Sequence, residues 1–176
     1  MAIVSPGYPE NMNRHVENYK ENKTAYIYDP GQQITSLHAQ DITSGIEGSK
    51  ALICNDYELN MIIAKTGMNE SELIAKTGIL ITTLGSKGCL IKTKDQSYAI
   101  PPAKPENNSD PTGAGDAFRA GLLKGFALDL PLEVTGRLAA TVAVYTVEKY
   151  GTQTHSFTLE DLKQRYKQNY EQELTI

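Results

Sequence analysis

Apolar positions along this chain change their spacing repeatedly, and each change marks a predicted strand or helix. Ile3-Val4, stopped by Ser5-Pro6-Gly7, reads as the end of a strand. From Glu10 to Lys20, Met12, His15, Val16 and Tyr19 recur at helical spacing. Ala25-Tyr26-Ile27-Tyr28 is a β-rich run ended by the turn sequence Asp29-Pro30-Gly31. A helical stretch carrying Ile42 and Ile46 closes at Gly48, and Ala51-Leu52-Ile53-Cys54 is the next strand, running into Asn55. Helices follow over Tyr57–Thr66 and Glu70–Lys76, stopped by Gly67 and Gly78. The tetrapeptide Ala-Lys-Thr-Gly thus occurs twice, as two similar helix stops; a repeat architecture would need several copies.

Ile79–Thr83 is another β-branched run, while Cys89–Thr93 and Tyr98–Ile100 alternate like the arms of a hairpin. Two helices are predicted over Gly113–Lys124 and Leu132–Tyr150, and a polar amphipathic helix from Leu159 to about Tyr170 closes the chain. Strands alternating with helices predict an α/β fold, a doubly wound, mostly parallel sheet with flanking helices in one domain over 1–176. Ligands of such sheets sit at the carboxyl ends of strands, and Asn55, Thr83 and the Asp110 loop fall at such positions. The opening apolar element is so short that strands N-terminal to it are expected to be missing. That truncation predicts an unpaired sheet edge, an exposed apolar face, and dimerisation, poor solubility or disorder near residues 1–24.

Composition narrows the function classes. Forty per cent apolar and 22% charged residues in a 176-residue chain suit one soluble core. A net charge of −4 with scattered lysines and arginines gives no electrostatic case for nucleic acid or an anionic membrane. No apolar run approaches the ~20 residues of a membrane helix, and the opening segment lacks the basic flank of a secretory signal. A cytoplasmic protein is the plain expectation. Cys54 and Cys89 lie in apolar runs and read as reduced core thiols, while His15, His38 and His155 are too dispersed for a metal site.

The chemistry concentrates in Asn108-Ser109-Asp110-Pro111-Thr112-Gly113-Ala114-Gly115-Asp116, just before an apolar helix. Two glycines around one alanine leave the first helical amides bare, at the positive end of the helix dipole. Together they suit a phosphate or a developing phosphoryl charge. A carboxylate at Asp116 fits the task of accepting a proton from an attacking alcohol. Taken alone, Gly-x-Gly-Asp reads more readily as a helix-start acid that complements the dipole. Neither a Gly-x-x-x-x-Gly-Lys-Ser/Thr loop nor a dinucleotide fingerprint is found.

The longer stretch DPTGAGDAFRAGLL, Asp110 to Leu123, resembles the C-terminal signature of the PfkB family, the ribokinase-like carbohydrate kinases. The resemblance implies an anion hole at Gly113, Ala114 and Gly115 and a catalytic base at Asp116. Asn55-Asp56-Tyr57-Glu58 is similar to the family's Asn-x-x-Glu element, which implies that Asn55 and Glu58 help to organise Mg²⁺ and the phosphates, Glu58 through water; an N-cap pair would look the same. Thr83, Gly85, Ser86 and Gly88 resemble the ATP-side loop, although a hairpin turn would also use the glycines. Tyr150-Gly151-Thr152-Gln153-Thr154-His155 resembles the loop near adenine, and Asp110, Thr112 and Gly151 are candidates for a monovalent-cation loop such as one for K⁺. His155 is expected to cap or pack.

The likeness covers nearly the whole chain and, through Asp29-Pro30-Gly31-Gln32 and Tyr-Gly-Thr-Gln, leans to the adenosine-kinase-like branch. It implies an ATP-dependent, Mg²⁺-requiring phosphotransferase acting on a hydroxyl of a sugar or nucleoside. Family members are nearly twice as long, and nothing here corresponds to their N-terminal glycine pair or β-lid. The alternative is a nucleotide-binding fragment or regulatory module without catalysis.

Overall fold

A computed structural model describes residues 1–176. Six strands form one sheet: β1 (Ala2–Val4), β2 (Tyr26–Tyr28), β3 (Ala51–Asn55), β4 (Leu80–Thr83), β5 (Cys89–Lys92) and β6 (Ser97–Ile100), in that spatial order. β1 to β4 are parallel, and β5 turns back antiparallel to β4. The sheet is therefore mixed but mostly parallel, with β5 running against β4. Four helices connect the parallel strands: α1 (Pro9–Glu21), α2 (Ala39–Ile46), α3 (Asp56–Thr66) and α4 (Glu70–Thr77). Consecutive strands are added in one direction, so right-handed crossovers bring these helices to one face.

Side-chain alternation divides the strands between two faces. Tyr26, Tyr28, Leu52 and Cys54 join one core cluster with Met12 and Val16 of α1, Ile42 of α2 and Ile62 of α3. Ile27 and Ile53 alternate to the other face and are fully buried as well. Burial on both faces explains why β2 and β3 read as continuous apolar runs.

Chain contacts resolve into two compact units. One comprises Met1–Gly85 with Cys89–Ala99; the other comprises Ser86–Gly88 with Ile100–Ile176. The second is helical, with α5 (Ala114–Ala127), α6 (Leu132–Val147) and α7 (Leu159–Tyr170). A Cβ on Gly121 of α5 would lie 2.5 Å from the Ala139 Cα of α6, and one on Gly125 would lie 2.6 Å from the Thr135 side chain. Small residues on one stripe of α5 thus allow the backbones to approach closely.

Both Ala-Lys-Thr-Gly copies end helices on glycines of positive φ, Gly67 at 73° and Gly78 at 84°. Several boundaries depart from the sequence pattern. A 3₁₀ turn over Gly31–Thr35 replaces a simple turn after Pro30, α5 runs on to Ala127, and α6 stops at Val147 rather than Tyr150. Residues 1–24 fold into β1 and α1, with β1 at the sheet edge. The large exposed apolar side chains, among them Tyr8, Tyr57, Leu128 and Tyr150, sit on separate elements rather than one strand face. No helix is long and apolar enough to cross a membrane. Cys54 and Cys89 are buried, and burial pushes the Cys89 thiol up to about 12, far from a reactive thiolate.

Candidate active site

In the helical unit, the segment before α5 is built around Asp110. One carboxylate oxygen accepts the Thr112 N–H at 2.9 Å, and the other accepts the Gly151 N–H at 3.1 Å. The Thr112 side chain and backbone, with the Gly151 backbone, hold this carboxyl below the usual carboxylate range. The amides of Ser109 and Asp110 both donate to the Val147 carbonyl, at 3.0 and 3.1 Å. Three residues singled out in the sequence, Asp110, Thr112 and Gly151, are therefore brought together.

The chain then turns sharply. Ala114 N–H donates to the Pro111 carbonyl at 3.2 Å, and Gly113 takes φ 83° and ψ −5° as the N-cap of α5. Those angles belong to the third residue of a type II turn, a place that favours glycine. A Cβ on Gly113 would also come within 3.0 Å of Thr152. With the Ala114 amide committed to the turn, the Gly115 and Asp116 amides remain in the first turn, where no intrahelical carbonyl is available.

Asp116 sits in that first turn with an exposed side chain. The next turn brings the Arg119 guanidinium over Gly115, where one of its nitrogens would lie 2.8 Å from an added Cβ. Arg119 lies within the Asp110–Leu123 stretch, but nothing in its spacing announces this position. His155 packs: its ring lies 6.3 Å from that of Phe157 and 3.3 Å from the Thr146 hydroxyl.

In the sheet unit, Asn55 and Thr83 are register partners at the carboxyl ends of β3 and β4. The Thr83 hydroxyl points to the Cys54 carbonyl at 3.5 Å. Asn55 caps α3: its side-chain oxygen accepts the Glu58 N–H at 2.7 Å, and Glu58 Oε2 accepts the Asn55 N–H at 2.8 Å. This reciprocal box is the helix-capping use that the sequence left open. It occupies one oxygen of the half-exposed Glu58 carboxylate. Gly85–Lys87 then forms one exposed 3₁₀ turn, and Gly88 has φ 89°. A Cβ on Gly88 would lie 2.0 Å from the Ile100 carbonyl. Ser86 and Gly88 group with the helical unit and Gly85 with the sheet unit.

Comparison with known proteins bears on these two clusters. A sequence model described as pfkB family carbohydrate kinase matches residues 1–159. A nucleoside kinase of Methanocaldococcus jannaschii is 32% identical over 163 residues, which make up 92% of this chain and 53% of that protein. The Burkholderia thailandensis nucleoside kinase in complex with inosine superposes with a TM-score of 0.95 at 31% identity, over 98% of this chain and 58% of that one. The same kinase in complex with ADP-inosine gives 0.94 at 32%, over 97% and 54%. The chain spans about half the length of the curated relatives it matches. Its mixed six-stranded sheet with flanking helices is the ribokinase-like fold. On the match over residues 1–159 and the likeness to these kinases, the chain belongs to the pfkB family of carbohydrate kinases.

Proposed function

We propose that this chain is the nucleotide-binding and catalytic part of a kinase that transfers the γ-phosphoryl group of ATP to a nucleoside hydroxyl. The observation that carries the reading is the head of α5, where an exposed carboxylate, Asp116, shares one turn with amides that lack intrahelical partners. Nucleosides are favoured over simple sugars because the relatives of about 30% identity include nucleoside kinases, one of them in complexes with inosine and ADP-inosine.

In this reading Asp116 accepts the hydroxyl proton as the acceptor oxygen bonds to the γ-phosphorus and the bond to the β,γ-bridging oxygen breaks. ADP leaves with that bridging oxygen. Of the Gly113-Ala114-Gly115 segment expected to form the anion hole, Ala114 spends its amide on the turn, so the Gly115 amide, joined by that of Asp116, holds the equatorial oxygens of the moving group and costs no reorganisation. Thr83, Gly85, Ser86 and Gly88 flank the nucleotide, where glycines allow the backbone to come close. Mg²⁺, when bound, neutralises charge on the phosphates. Glu58, oriented by Asn55, would hold it through water. Asp110, Thr112 and Gly151 would form a loop for a monovalent cation such as K⁺.

The test is turnover by the purified chain with MgATP and a panel of nucleosides and sugars, beside an Asp116→Asn variant. The expected result is nucleoside phosphorylation that falls about 10²–10⁴-fold in kcat with little change in nucleotide affinity. Near-normal turnover in the variant removes the base assignment. The short span relative to the curated relatives favours a second reading, a nucleotide-binding module without catalysis. Calorimetric binding of MgATP with no turnover of any acceptor would select it.

A further inference from the structure

Glu148 stands at the wrong end of α6. It is the C-cap residue of a 16-residue helix, where the dipole disfavours a negative charge. Its carboxylate is also largely buried, with 9% of the side chain exposed. Something must offset both penalties, and two groups do. Glu148 Oε1 accepts the Glu106 backbone N–H at 2.6 Å, and Arg165 of α7 reaches the same oxygen at 2.6 Å.

Arg165 completes the arrangement. Its other terminal nitrogen donates to Glu106 Oε1 at 2.6 Å, so one guanidinium bridges Glu148 and the segment that leads into the Asp110 loop. The guanidinium carbon lies 5.0 Å from the centre of the Tyr145 ring, which stacks in turn on Phe157 at 4.4 Å. This fork, with 10% of its side chain exposed, therefore has little freedom to move. Three and four residues beyond Glu106, the Ser109 and Asp110 amides bind the Val147 carbonyl, next to Glu148. Residues 106–110 are thus pinned to the end of α6 at both of their ends, and only the Glu106 pin depends on charge.

We infer that Arg165 is a positioning residue for the head of α5: by neutralising Glu148 and Glu106 together, it keeps the Asp110 loop in the conformation that presents the amides of Gly115 and Asp116. The inference rests on the proposed phosphoryl role of that helix head. Arg165 lies beyond residues 1–159, the segment matched by the family model. Its effect reaches the site through Glu148, Glu106 and the loop.

The experiment compares Arg165→Met, Arg165→Lys and a control, Arg137→Met, in the full chain. Arg137 also bridges two side chains, Glu133 and Gln172, with no bond to the loop. Amide hydrogen exchange at Glu106, Ser109, Asp110 and Gly151 is read together with calorimetric affinity for MgATP. Arg165→Met is expected to speed exchange at these amides at least tenfold and to weaken MgATP about tenfold. Arg165→Lys, which keeps the charge without the fork, should recover part of both. Arg137→Met should leave both within twofold, although it also removes a bridge. Unchanged exchange in Arg165→Met, or equal acceleration in Arg137→Met, overturns the assignment.

If Arg165→Met does not fold, Glu148→Gln decides. Its amide oxygen can still accept from Glu106, so only the charge facing Arg165 is lost, and exchange at the same four amides should rise at least threefold; no rise overturns the assignment. A wild-type chain without affinity for MgATP overturns the phosphoryl reading of the helix head. Exchange alone then upholds or overturns the hold of Arg165 on the loop.

Discussion

Asp110 and Gly151 lie 41 positions apart in the chain, yet the carboxylate of one accepts the backbone N–H of the other at 3.1 Å. The Asp110 pKa is held low chiefly by the Thr112 side chain, then by the Thr112 and Gly151 backbones. A carboxyl with a depressed folded pKa favours the folded arrangement above its unfolded value, about 3.9 for aspartate, and loses that effect as pH falls through the folded value. The Gly151 and Thr112 amide resonances should therefore titrate together with a midpoint below about 3.9. In Asp110→Asn the common titration should vanish. A midpoint at or above the free value would remove the tie.

Glu58 is proposed for two tasks, and two substitutions separate them. Glu58→Gln keeps an oxygen for the Asn55 N–H, as glutamine also serves at this position of a capping box. Its stability in urea should stay within about 0.5 kcal/mol of wild type, while the Mg²⁺ needed for half-maximal turnover rises several-fold. Glu58→Ala should lose about 1 kcal/mol in addition. Identical Mg²⁺ dependence in Glu58→Gln and wild type would leave Glu58 a capping residue alone.

Gly113→Ala tests the turn. An L-residue in the left-handed region costs roughly 1–2 kcal/mol, and the new methyl would crowd Thr152 at 3.0 Å. The expected outcome is a modest loss of stability with a larger loss of MgATP affinity, read by denaturation and calorimetry on the same preparation. Unaltered affinity would mean that the turn does not shape the nucleotide site.

Gly121→Ala should destabilise although alanine is the better helix former. Replacing glycine gains about 1 kcal/mol in propensity, but the new Cβ would meet the Ala139 Cα at 2.5 Å, and backbone cannot swing aside. Overpacking of this kind typically costs about 1–3 kcal/mol, so a net loss is expected in chemical denaturation. A stabilised variant would show that α5 and α6 can separate freely.

Much of the architecture was legible because local chemistry agrees with it. The doubled Ala-Lys-Thr-Gly marks two real helix stops, and Asn55 with Glu58 closes a capping box where the pattern allowed one. Misplaced ends have long-range causes. The apolar spacing carries α6 to Tyr150, but its Val147 carbonyl is taken by the Ser109 and Asp110 amides, almost forty positions upstream. Nothing local announces that capture. Asp110, Thr112 and Gly151 were grouped by resemblance, and the hydrogen bonds bring them together. Glu106, Glu148 and Arg165 were missed. A signal existed, since glutamate is a poor choice at a helix C-terminus, but its partners come from two distant segments.

The spatial order β1-β2-β3-β4-β5-β6 repeats the order of synthesis. Each new strand needs only the strand made just before it, so the sheet can grow stepwise as the polypeptide emerges, with short loop closures at every stage. The helical unit has no such schedule: Ser109 must wait for Val147, and Glu106 for Arg165. Its loop can accordingly acquire its shape only after the chain has been made as far as Arg165.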